Sequence, residues 1–88
     1  MAIDNAIWDM DDEEEGNVRH IAEHGLSKQD VEDVLFGTHE LDASRSSGNP
    51  IALGFTSTGE YICVVFEWID DETVYPITAY ALEDEDAN

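Results

Sequence analysis

His20 and His24 stand four residues apart, a spacing that puts both rings on one face of a helix. Histidine takes or gives a proton near neutral pH, so this pair is the first candidate for acid–base chemistry. The same spacing suits a metal with a third ligand such as Glu23, but no ligand set is spelled out, and nothing in the sequence calls for a metal or a cofactor. Arg45 is the strongest cationic candidate. Its guanidinium fork matches a phosphate or a carboxylate, although in so acidic a chain an ion pair with a neighbouring acid competes for it. Tyr61, Tyr75 and Tyr80 offer hydroxyl donors or rings that stack on a base, and a strand tyrosine is also commonly half core and half surface. Cys63 has no neighbouring histidine or cation in its apolar run, which suits a buried small hydrophobe better than a nucleophile. His39 falls where an exposed loop is expected, Trp8 in the core and Trp68 at its rim.

The elements that must position these groups have to fit one domain. Eighty-eight residues cannot make two cores, and a domain of this size buries only about 60–65% of its unfolded surface. The lone cysteine excludes an internal disulfide, and Met1–Asp12 has no basic region or long apolar stretch; the expected location is the cytoplasm. No apolar run is long enough to span a membrane.

Charge is the most unusual property. Twenty-two acidic residues face three basic ones, Arg19, Lys28 and Arg45, for a formal net charge of −19. Such a chain repels nucleic acid and anionic membranes wherever salt does not screen it. Three explanations compete: adaptation to strong salt, a surface for a basic partner, and imitation of DNA. The acids are spread through the whole chain, which favours salt adaptation.

Ala6–Trp8 suggests a short first strand or an apolar plug. A first helix is expected over about 13–24, with Val18, Ile21 and Ala22 as its apolar face and Gly25 as its left-handed terminator. Ser27 and Asp30 form a capping box for a second helix over 28–36, whose stripe is Val31, Val34 and Leu35. After Gly37 the apolar period changes, and strands are expected near 39–45, 50–57, 60–68 and 73–81. Ile51, Leu53 and Phe55 alternate with smaller residues, the pattern of a half-buried strand; Glu60–Trp68 has the composition of a central one. Pro76 removes a donor and so belongs at an edge or a bulge. Residues 83–88 make an acidic tail. Helices ahead of a meander give an α+β fold: a helix hairpin packed on one face of a twisted antiparallel sheet, with the other face left for function or a partner.

Trp8-Asp9, then Asn17 to Ser27 with His24-Gly25 at the helix end, then Val31 to Leu35, resemble the helix-hairpin signature of BrnT-like toxins. Arg45-Ser46, Gly54-Phe55-Thr56 with Gly59-Glu60-Tyr61, and Ile77-Thr78-Ala79 resemble that family's strands, so the resemblance runs from about residue 6 to 81. It implies a RelE-like fold and a metal-independent endoribonuclease acting on RNA, the toxin of a type II toxin–antitoxin pair. It also implies a ribbon-helix-helix antitoxin as partner, in a homodimer or a toxin–antitoxin heterotetramer. Such cleavage needs a base for the 2′-hydroxyl, an acid for the leaving oxygen and a cation for the phosphorane, roles open to His20, His24, Tyr80 and Arg45. The chain departs from the family where arginines and a basic tail usually follow the last strand: here Tyr80-Ala81-Leu82-Glu83-Asp84 stands in their place. A non-catalytic relative that binds its antitoxin or another basic protein is therefore the alternative, and an unrelated interaction module the third.

Overall fold

Two short helices, α1 (Asn17–Glu23) and α2 (Lys28–Phe36), are joined by a turn that the local sequence dictates. Gly25 adopts φ +80°, which an L side chain resists, and its amide donates to the Ala22 carbonyl (2.9 Å) while the Leu26 amide donates to that of Ile21 (3.0 Å). This is a Schellman terminator, and its two apolar partners, Ile21 and Leu26, are both buried. Ser27 then starts α2 with the expected capping box: its hydroxyl accepts from the Asp30 amide (3.2 Å), and the Asp30 carboxylate accepts from the Ser27 amide (3.0 Å).

The computed structural model describes residues 3–44 and 48–82. The remaining elements are β1 (Asn5–Ala6), β2 (Glu40–Ala43), β3 (Pro50–Phe55), β4 (Tyr61–Trp68) and β5 (Thr73–Ala81). They form a five-stranded sheet in the order β1-β5-β4-β3-β2. The chain enters at one edge, the helices carry it across one face to the far edge, and the meander β2–β5 returns it. The meander is antiparallel, as expected. β1 runs parallel to β5, so the sheet is mixed, because the helix crossover brings the meander's last strand back beside the first. Among the described residues no helix is long and apolar enough to cross a membrane.

One core joins the layers. Ile21, Val31, Val34 and Leu35 of the helices meet Ile62, Val64 and Phe66 of β4, the central strand, with Ala52, Val74 and Ala79 beside them. Trp8 packs against its margin and donates its indole N–H to Glu32 (3.0 Å).

Three expectations need correction. The first helix begins at Asn17, four residues later than its acids suggested. Asp11–Glu15 is a run of like charges that a helix would stack at i and i+4; it turns instead, with Glu13 bonded to Met10 and Gly16 to Glu13. Ala22 is exposed, and Asn17 takes the inner position beside Ile21. On β3 the alternation holds but its sense is inverted: Ala52 and Gly54 face the helices, while Ile51 and Leu53 are half-buried and Phe55 is 63% exposed on the other face. Close approach of the α2 end is the reason. A Cβ on Gly54 would come within 3.0 Å of the Thr38 carbonyl and 3.2 Å of Val34.

Asn17 explains how so small a fold closes. It is 1% exposed, and its amide nitrogen donates to the Ile7 (2.9 Å) and Pro76 (2.8 Å) carbonyls. Its Oδ1 accepts from the Asp9 amide (2.8 Å), and its own backbone N–H donates to the Asp9 carboxylate (2.9 Å). Asp9 thus caps α1 from outside the helix, where Gly16 offers no side chain; a Cβ at Gly16 would lie 2.7 Å from that of Asp9. Tyr75 donates its hydroxyl to the same carboxylate (2.5 Å). Because Pro76 points its carbonyl outward to Asn17, its missing donor is on the outer side of β5, away from β4. Proline is tolerated there, beside the register shift at Val65/Phe66.

Two outcomes test this network. Asn17→Ala strands a buried carbonyl at Pro76 and a partly buried carbonyl and amide at Ile7 and Asp9, so unfolding free energy measured by urea titration should fall by about 2 kcal/mol. The bond to Asp9 pushes the Tyr75 phenol up to about 12. Above the ordinary tyrosine value near ~10 the unfolded chain releases a proton that the folded chain keeps, so stability present below ~10 is lost as pH rises toward ~12. In Tyr75→Phe that alkaline loss should shrink.

Candidate functional site

The face of the sheet away from the helices is built by simple alternation. Ile62, Val64 and Phe66 of β4 point to the core, so Tyr61, Cys63, Val65 and Glu67 point the other way. Register fills in the rows: Phe55 beside Tyr61, Leu53 and Tyr80 on either side of Cys63, Ile51 and Thr78 on either side of Val65, and Tyr75 beside Glu67. The edge strand β2 adds Glu40 beside Leu53 and Asp42 beside Ile51. The buried apolar helix residues, Ile21, Val31, Val34 and Leu35, all belong to the core on the opposite face. An aromatic and aliphatic surface is thereby left open, rimmed by carboxylates.

Of the four residues expected to act on RNA, two meet. His24, at the end of α1, lies with its ring centroid 6.2 Å from that of Tyr80, tilted by 57°. His20 makes only a minor electrostatic contribution at Asp9, whose carboxyl is held below its ordinary value. The larger causes there are the hydrogen bonds from Tyr75 and from the Asn17 amide. Arg45 lies outside the described residues, as does the acidic tail over 83–88. The two described cations, Arg19 and Lys28, belong to helix segments, and Lys28 makes an exposed pair with Asp11 at 3.5 Å. Among the described residues the open face therefore presents carboxylates and rings, with no lysine or arginine to meet a phosphate.

Tyr80 does a second job. It stands opposite Cys63 across β4 and β5, and its interaction with that thiol, with partial burial, holds the phenol above its ordinary value. Cys63 is 1% exposed; burial pushes its thiol up, and the interaction with Tyr80 only partly offsets this. Burial, the larger of the two effects, opposes a thiolate, in keeping with a buried small hydrophobe. Among the described residues no three His, Cys, Asp or Glu side chains are placed to hold a metal ion, so His20, His24 and Glu23 do not form such a set.

His39 is not the exposed loop residue that its position suggested. It is half-buried, and its Nδ1 donates to the Val34 (2.9 Å) and Gly37 (3.1 Å) carbonyls, satisfying the end of α2. Phe55 and Glu40 carry no site signal in the sequence, where each has the pattern of an ordinary strand residue. The signal that marks them is the small-residue alternation Ala52, Gly54, which gives the core side of β3 to residues of little volume.

A thiol reagent checks the Tyr80–Cys63 arrangement. Folded protein should react with Ellman's reagent only at the rate of unfolding, and Tyr80→Ala should raise that rate by about tenfold or more by uncovering the sulfur.

No protein-family model matches the chain, and neither a curated protein nor a solved structure matches it.

Proposed function

We propose that this chain is a BrnT-like domain of RelE-like architecture whose open sheet face binds a basic protein of ribbon-helix-helix antitoxin type. One observation carries the reading: β3 turns its large side chains, Ile51, Leu53 and Phe55, away from its own core and onto a face rimmed by Glu40, Asp42 and Glu67. Apolar area at the centre with charge at the rim is the composition of a protein interface. The sign of the rim selects a cationic partner and repels a nucleic acid backbone. The order of Trp8-Asp9, Asn17 and His24-Gly25 along a helix pair that precedes an antiparallel meander supports the family resemblance.

A second reading, the endoribonuclease that the resemblance implies, has the His24–Tyr80 pair behind it. It lacks a described cation on the same face, and its phosphate-binding role falls to Arg45.

Binding and cleavage separate the two. The purified chain should form a complex with the ribbon-helix-helix product of the adjacent reading frame, read by titration calorimetry, and should leave total RNA intact. Ile51→Arg or Thr78→Arg should weaken the complex by about tenfold or more, because either puts a cation where a basic partner must dock. Binding unchanged by both substitutions rejects the open face as the interface. RNA cleavage that disappears in His24→Ala, Tyr80→Phe or Arg45→Ala establishes the nuclease instead.

A further inference from the structure

At one corner of the open face lies a cavity of about 260 Å³, lined in part by His39, Glu40, Leu53, Phe55 and Tyr61. Small-molecule sites occupy roughly 300–1,000 Å³, so this volume suits a single side chain better than a cofactor. Three kinds of wall meet in it. Phe55 and Tyr61 supply two rings with centroids 4.8 Å apart, inclined at 48°, and the Phe55 ring is largely exposed. Glu40, paired with Leu53 across β2 and β3, supplies an exposed carboxylate. His39 closes the third side. Its Nδ1–H is committed to the Val34 and Gly37 carbonyls, which fixes the ring in place. Gly54 brings this corner together, since it lets the Thr38–His39 segment lie against β3.

Aromatic faces and a carboxylate, with no lysine or arginine among the described lining residues, define what the pocket recognises: a group that is positive, planar and rich in donors. We infer that this pocket takes an arginine side chain of the partner protein. The inference rests on the protein-binding function proposed above and names the group that anchors it. A guanidinium stacks on a ring while its N–H fork reaches a carboxylate, whereas a lysine ammonium presents a compact point charge that satisfies the carboxylate and leaves the rings less used. Phe55, which has no role in the core of its own domain, thereby acquires one at the interface.

The test uses the full chain labelled with nitrogen-15 in about 0.5 M KCl, where the Debye length of roughly 4–5 Å suppresses diffuse ion pairing. Nα-acetyl-arginine amide is the probe, with Nα-acetyl-lysine amide and the uncharged isostere Nα-acetyl-citrulline amide as controls. Arginine amide should shift the backbone signals of Gly54, Phe55 and Tyr61 along a saturating curve with a millimolar Kd. Lysine amide should bind more weakly, and citrulline amide should produce no saturating shift. Phe55→Ala and Glu40→Gln, both at exposed positions, should each raise the Kd about threefold or more without altering the rest of the spectrum. Equal binding of citrulline amide, equal binding of lysine amide, or shifts scattered over the acidic surface overturns the pocket. The same two variants are then titrated with the ribbon-helix-helix partner. Partner affinity unchanged in both rejects the arginine anchor while the protein-binding function stands. Saturation by arginine amide with no partner bound to the unmodified chain retains the pocket and rejects that function.

Discussion

The carboxamide of Asn17 is the interaction on which the rest of this small fold depends. One buried side chain ties three parts of the chain that are far apart in sequence: Ile7 and Asp9 before the helices, the start of α1, and Pro76 in the last strand. Without it, β1 has only two residues paired with β5, and the first helix has a glycine where a capping side chain would stand. Asp9 and Tyr75 extend the same network, so helix start, sheet edge and amino-terminal segment are held by one set of hydrogen bonds. Among the described residues no buried polar side-chain atom lacks a partner, which is the condition for such a network to stabilise a core.

Much of the architecture was legible in the sequence because its signals are local. The capping box at Ser27, the glycine after His24, the β-branched run through β4 and the proline in β5 each have a physical meaning that survives without tertiary context, and the structure bears each of them out. What was not legible depends on close approach between distant elements. The acids over 11–15 suit a helix start on dipole grounds alone, yet this helix is capped by Asp9, eight residues before Asn17. The sense of the alternation on β3 is likewise undetermined until α2 is known to lie so close that only Ala52 and Gly54 fit beneath it.

The site was less legible than the fold, and for a physical reason. His20, His24 and Tyr80 stand out by residue type, but type says nothing of neighbours. His24 meets Tyr80, Tyr80 stands opposite a buried thiol, and His20 makes only a minor electrostatic contribution at Asp9. Phe55 and Glu40 carry no chemical signature in one dimension, and they become notable only when cross-strand register places them with Tyr61 and Leu53. The family resemblance draws attention to the helix hairpin and the segment before it, where Asp9 and Asn17 hold the fold together; the exposed apolar surface lies on the strands.

The edge strand β2 has a consequence for how these molecules treat one another. All four of its residues are exposed, and among the described residues it is paired on one side alone, by β3. An unpaired edge is a template on which identical chains readily assemble into larger aggregates. Here the edge reads Glu40, Leu41, Asp42, Ala43, so two copies laid side by side would bring carboxylates together in a desolvating contact. The Ala43 amide is also occupied by the Asp42 side chain at 2.8 Å. The same few residues that leave a strand open thus discourage copies of this chain from joining through it, and colloidal stability is written into the edge at the level of single side chains.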